Sequence, residues 1–208
     1  MENFKFSKIL IHETHLKLIF LINLIIKKMS VNTLKALEYG IRLIGTPYDY
    51  WKGGENQKEA PMFAQNGEVP RQLDITSVNC AGLCNLMLRS IGKELPHSEN
   101  TIGGTDAYFK YYKDKSYEFS INNTYPMGTL VMRNYRDIND QGHLAVLIES
   151  KGKESLILQS HVEGEYFKST SPGVNAMYTL EDSHKAFTDE NRDGCYYERV
   201  VLPEDWLE

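Results

Sequence analysis

The sequence predicts an α+β fold, with N-terminal helices packed on a small antiparallel sheet. Three observations carry that prediction. Apolar residues recur at helical spacing behind capping residues through roughly residues 30 to 112. From Tyr125 onward, short runs rich in Val, Ile, Leu and Tyr follow one another between Gly, Pro and Ser turns, the pattern of a strand meander. Helices come first and strands after, with no internal repeat and no low-complexity tract, which is the order of an α+β domain.

A chain of 208 residues is long enough for one domain with a full core and short for two. Residues 29–208 read as that single domain. The 41% hydrophobic and 25% charged residues are those of an ordinary soluble globular protein. A net charge of −5, with no basic block beyond Lys27-Lys28, argues against nucleic acid as a partner. The three cysteines, Cys80, Cys84 and Cys195, make no disulfide framework. Cys80 and Cys84 are spaced CxxxC with no second ligand pair, so neither structural zinc nor thioredoxin-type redox chemistry is expected. No metal and no cofactor are assigned. The thirteen tyrosines are expected to serve sheet and surface packing.

Residues 1–28 stand apart as an apolar extension. A nine-residue run from Leu18 to Ile26 lies between Lys17 and Lys27-Lys28. It is shorter than the roughly 20 apolar residues of a membrane-spanning helix. It has the basic start and apolar core of a signal peptide but no small-residue cleavage site. It reads equally as an upstream extension to a chain whose translation starts at Met29. The last reading favours the cytoplasm; retention of the segment favours a membrane-associated or secreted protein, with membrane contact through residues 1–28 only.

Each element has its own signals. Ser30 or Asn32 caps a first helix with Leu34, Leu37, Ile41 and Ile44 on its apolar face, ended by Gly45-Thr46-Pro47. An aromatic loop follows from Tyr48 to Trp51, with Gly53-Gly54 as a flexible pair. Residues 55–76, with Pro61, Gly67 and Pro70, read as a long surface loop. Asn79 caps a second helix with Leu83, Leu86, Met87 and Ile91 on one face, closed by Gly92 and Pro96. Residues 106–112 form a short aromatic helix. Strands are expected at 129–132, 143–149, 156–161, 174–179 and 195–202, with a short helix at 180–187.

The chemistry concentrates on two of these elements. Cys80 stands on the opening turn of the second helix, where unpaired amides and the helix dipole stabilise a thiolate and can receive an oxyanion. Cys84, one turn further in, reads as core. His143 follows Gly142 at the start of a buried strand, with Ala145 and Leu147 on its side and Leu144, Val146 and Ile148 on the other. A histidine base needs a partner that holds its tautomer. Gln159 and His161, two apart on the next strand, share a face and either can serve. The 189–194 stretch resembles the start of an EF-hand loop, but Val200 occupies the position of the required glutamate, so it reads as a turn. His97 and His184 read as solvated surface. Asn122-Asn123-Thr124 is a glycosylation sequon only in a secreted chain.

These residues, taken together, resemble the NlpC-type peptidases, a compact branch of the papain-like cysteine hydrolases. The matching pieces are Gly45-Thr46-Pro47-Tyr48 with Gly53-Gly54, then Asn79-Cys80-Ala81-Gly82-Leu83 opening a helix, then Gly142-His143-Leu144-Ala145-Val146. They run in the family's order, cysteine before histidine, and cover Leu34 to about His161. The resemblance implies a peptidase or amidase with Cys80 as nucleophile, His143 as base and acid, and Gln159 as orienting residue, His161 lying just beyond it. It implies that Tyr48 positions the thiol or the substrate. Asn79 and Ala81 stand where wall-cleaving members carry Asp and Ser to hold a stem-peptide amine. Losing the carboxylate removes a charge-assisted contact of about 1.5–3 kcal/mol, so a peptide-like substrate is expected without commitment to the wall peptide. The same residues also suit an acyltransferase or transamidase, or a catalytically inactive binding module.

Overall fold

Two helices that the chain lays down early, one wrapped by the other elements on every side, occupy one face of a six-stranded antiparallel sheet. The computed structural model describes residues 29–51, 60–99, 101–136, 141–162, 172–186 and 197–208. The helices among them are α1 (Val31–Ile41), α2 (Cys80–Ser90), α3 (Thr105–Tyr111), α4 (Leu180–Ala186) and α5 (Pro203–Trp206). The strands are β1 (Ser116–Glu118), β2 (Leu130–Arg133), β3 (His143–Leu147), β4 (Ile157–His161), β5 (Gly173–Asn175) and β6 (Arg199–Val201), arranged β1-β6-β2-β3-β4-β5. The expected α+β class and antiparallel sheet are therefore present. The apolar extension 1–28, Gly53-Gly54, the EF-hand-like 189–194 and Cys195 lie outside the described residues.

The Ser30 side chain caps α1 by accepting from the Thr33 amide at 3.1 Å. Its buried residues are Thr33, Ala36, Leu37 and Gly40, one helical stripe. This corrects the expected face: Ile41 and Ile44 are 44% and 48% exposed. The stripe is built from small residues because α1 comes very close to its neighbours. A Cβ on Gly40 would stand 2.8 Å from Leu158 Cδ2 and 3.0 Å from Met87 Sδ. The branched isoleucines do not fit a gap of that width.

Helix α2 is buried at all eleven positions rather than along one face. Leu83, Leu86 and Met87 share a core with Leu130, Met132, Leu144, Val146, Leu158, Tyr108, Tyr112 and Trp206. The segment expected as a surface loop supplies part of the cover. A turn at Met62–Ala64 buries Phe63 and Ala64 in that same core. Arg89, near the end of α2, donates to the carbonyls of Met62 and Gly67 at 2.8 and 3.1 Å and to that of Glu68, tying this segment down.

The other face of the sheet carries Val131, Ala145, Leu147, Ile157 and Val200 against Leu180 of α4, Tyr125 and Tyr197. Strand β1 has no counterpart in the expected elements. It forms because Ser116–Glu118 pairs with Arg199–Val201, a partner more than eighty residues away, which leaves little local signal. The expected 174–179 strand shortens to β5, and Thr179 makes only an isolated bridge with Leu156.

The close contact at Gly40 generates a stability test. Gly40→Val overpacks the α1–α2–β4 contact and should lower unfolding stability by about 1–3 kcal/mol. Ile41→Ser, on the exposed side, should change it by less than about 0.5 kcal/mol. Urea titrations of the two variants measure both, and the reverse order of effects would restore the isoleucine face as the packed one.

Candidate functional site

Cys80 is the first residue of α2, and the reason is its neighbour. Asn79 has extended backbone angles and its Oδ1 accepts from the Gly82 amide at 2.7 Å, which starts the helix at Cys80. Val78, just upstream, is held twice: its amide donates to Pro47 O at 2.9 Å, and its carbonyl accepts from Ser160 Oγ at 2.7 Å. The Gly45–Pro47 turn is in turn bound to β5 through Gly45 N to Val174 O and Val174 N to Thr46 O, both 2.9 Å. The thiol therefore sits where the Tyr48 loop, α2 and the sheet are fastened together.

The sulfur lies at a cleft of about 170 Å³ whose walls include Tyr48, Tyr50, Trp51, Asn79, Ala81, Thr105, Asp106, Tyr135 and Gln141. Cys80 itself is 8% exposed. Burial pushes its thiol pKa up, while the amides of Leu144 and Ala81, the Thr105 hydroxyl and the Arg133 charge pull toward thiolate. Burial dominates, so the resting group is a neutral thiol. The Tyr48 phenol is pushed up by burial and then by the neighbouring Cys80, which keeps it a hydrogen-bond donor at ordinary pH. Cys84 is fully buried, as expected of a core residue.

His143 opens β3 because Gly142 makes the turn into it. Gly142 has a φ of 74°, and a Cβ there would stand 2.5 Å from the Arg133 carbonyl oxygen. The ring's Nε2 is 2.8 Å from Gln159 Oε1. An amide oxygen only accepts, so Nε2 carries the proton and Nδ1 is the basic nitrogen. Gln159 is fully buried, and its oxygen also faces Ser183 Oγ at 3.4 Å, which bonds Tyr197 OH at 2.8 Å. A buried chain of polar groups thus runs from Tyr197 through Ser183 and Gln159 to His143. His161 does something else: its Nδ1 meets the Val162 carbonyl at 2.9 Å and its ring packs on Tyr178. Between the two candidates for orienting His143, Gln159 makes the contact.

Strand alternation puts His143, Ala145 and Gln159 on the α4 side, while α2 packs on Leu144 and Val146. The cleft side and the histidine side meet at the start of β3, where the sulfur faces the Leu144 amide, next in sequence to His143. Ala145 shares a buried cluster with Leu180 of α4 and Tyr197. His184, expected on the surface, is half-buried with its ring against Phe119 and Tyr197.

Sequence reasoning passed over Thr105, Arg133, Ser183 and Tyr197. Arg133 carried a usable signal: a charged residue closing the apolar run Leu130-Val131-Met132, on the strand expected before His143. Among the described residues no cluster of three or more His, Cys, Asp or Glu side chains could hold a metal, and no helix is long and apolar enough to cross a membrane.

Burial, followed in weight by the Gln159 hydrogen bond that opposes it, pushes His143 down to about 3. Unfolded, the same ring titrates near 6.5. Between these values the unfolded chain binds a proton that the folded chain does not, so stability falls as pH drops from about 6.5 toward 3. Replacing His143 with Asn removes that contribution. Between pH 7.5 and 5, wild type should lose about 2 kcal/mol more than His143→Asn, measured by urea unfolding; equal losses would mean that the ring is as protonatable folded as unfolded. Comparison with known proteins gives no match: no family model, no curated protein and no solved structure corresponds to this chain.

Proposed function

We propose that the chain is a thiol-dependent amide hydrolase of papain-like, NlpC-type architecture, cleaving a peptide-like amide through a Cys80 acyl-enzyme. The observation that carries this is the 2.8 Å contact between His143 Nε2 and Gln159 Oε1. It leaves Nδ1 as the proton acceptor on a ring that follows the turn beside the cleft thiol.

The chemistry follows from the residues. With substrate in the cleft, His143 Nδ1 takes the thiol proton and the sulfur adds to the amide carbon. The first amides of α2 stabilise the resulting oxyanion. His143 returns the proton to the departing amine, and water attacks the thioester by the same route, releasing the acid and the thiol. Gln159 holds the ring in the required tautomer throughout. Because thiol and imidazole are both neutral at rest, proton transfer accompanies attack rather than preceding it. This requires Nδ1 to lie within hydrogen-bond reach of Sγ in the substrate complex. Water as acceptor makes the enzyme a hydrolase; an amine acceptor in the same step would make it a transamidase, and product analysis with added amine separates the two.

A second reading is favoured by the same burial. A deeply buried, protonated thiol and a histidine on the other sheet face also suit a binding module that has kept the scaffold and lost the reaction.

The decisive measurement uses a panel of peptide amides and a peptidyl electrophile such as an acyloxymethyl ketone. Cys80→Ala should abolish both turnover and labelling with an unchanged circular dichroism spectrum. His143→Asn should lower turnover by about 10²- to 10⁴-fold. Turnover or labelling that persists in Cys80→Ala would rule out the nucleophile, and a folded wild type that neither labels nor turns over would select the binding module.

A further inference from the structure

One polar side chain on the wall of the Cys80 cleft has nothing to do in the protein itself. Gln141 lines the cleft together with the thiol. Its side-chain nitrogen is buried and has no hydrogen-bond partner among the described residues, and its oxygen makes no hydrogen bond with them either. Folded proteins seldom leave a buried donor unmatched, because it has given up water and gained nothing. The amide is also held in neither sense. Half a turn about the last side-chain torsion exchanges nitrogen and oxygen without breaking a hydrogen bond, so either end can be offered to a ligand. Its neighbours are engaged: Asn79 Oδ1 caps α2 at 2.7 Å, and Asp106 Oδ2 accepts from Ser98 Oγ at 2.8 Å and pairs with Lys110 at 3.0 Å.

Gly142 explains the placement. In a regular strand residues two apart share a face, which would put Gln141 with His143 on the α4 side. Gly142, with a φ of 74°, interrupts the alternation, and Gln141 lines the cleft instead. His143 is the group that returns a proton to the departing amine in the proposed reaction. Gln141 precedes it by two residues and so stands on the side of the scissile bond from which the amine leaves. Asp106 is the one charged side chain among the described residues that line the cleft, so no cation among them is ready to hold a terminal carboxylate.

We propose that Gln141 is a substrate-binding residue that donates to the carbonyl of the first residue on the leaving side of the scissile amide. The substrate class is then a peptide that continues beyond the cut as a neutral amide, and the enzyme is an endopeptidase rather than a carboxypeptidase. This inference rests on the hydrolase reading and names the leaving side of its substrate.

The test truncates the substrate as well as the side chain. Each acetyl-peptide is made in three forms: with the leaving residue as its methylamide, as its free acid, and as the decarboxylated amine that lacks the carbonyl. Wild type should favour the methylamide over the decarboxylated form by about 3- to 10-fold in kcat/KM, the worth of one hydrogen bond, and should cleave the free acid no faster than the decarboxylated form. In Gln141→Leu the ratio of methylamide to decarboxylated form should fall to about 1, whereas a merely structural role would slow both forms alike and leave the ratio unchanged. Gln141→Glu, similar in size but without the donor, should lose the preference too and decides the matter if Gln141→Leu does not fold. Equal ratios in wild type and variant would overturn the proposal, as would a preference for the free acid. If wild type turns nothing over, the hydrolase reading falls alone. The same peptides are then compared by calorimetric Kd on Cys80→Ala with and without Gln141→Leu, where the methylamide preference and its loss uphold the contact and their absence overturns it.

Discussion

Everything in this fold is arranged around a helix with no solvent face. Because all eleven residues of α2 are buried, each of its polar groups must find a partner inside the protein. Asn79 caps the first turn. Asn85, fully buried, donates to Gly103 O at 2.9 Å and accepts from Tyr108 OH at 3.0 Å, which draws α3 and the turn before it against the helix. Ser90 Oγ bonds Met87 O at 2.7 Å. Arg89 spends its guanidinium on backbone carbonyls of the 62–68 segment. The surrounding elements are where they are largely because these groups, and the leucines between them, have to be covered.

The same constraint sets the chemistry. A thiol on the first turn of an exposed helix would have its pKa lowered by the terminal amides. Here burial outweighs the favourable contacts and the group rests protonated. His143 is treated likewise, by burial and by the charge opposite it on β2. Thiol and imidazole both rest neutral rather than as a preformed ion pair. On the proposed hydrolase reading, that places the proton transfer inside the substrate complex.

Local features of the chain were readable wherever the physics is local. Asn79 as a cap, Gly142 as the turn before His143, and Gln159 on the face of His143 follow from backbone preferences and from the period of two along a strand. The misreadings arose where a distant partner decides. Ile41 and Ile44 have the helical spacing of a core face, yet the packed stripe is the one with Gly40 on it, because α2 and β4 approach too closely for branched side chains. Phe63 and Ala64 sit in a stretch rich in loop residues, and only the need to cover α2 buries them. Nothing near Ser116–Glu118 announces β6 as its partner.

The amino-acid sequence by itself therefore determined the α+β class, the start of α2 at Cys80, the start of β3 at His143 and the pairing of His143 with a polar group on β4. The two element starts depend on residues a few positions apart, and the polar pairing on the period of two along neighbouring strands. The tertiary structure decided that Gln159 rather than His161 meets the ring, that Arg133 stands across from it, and that α2 and the His143 side chain lie on opposite faces of β3. Those are matters of register and of which surface a helix covers, and they are settled by the fit of side chains brought together from distant parts of the chain.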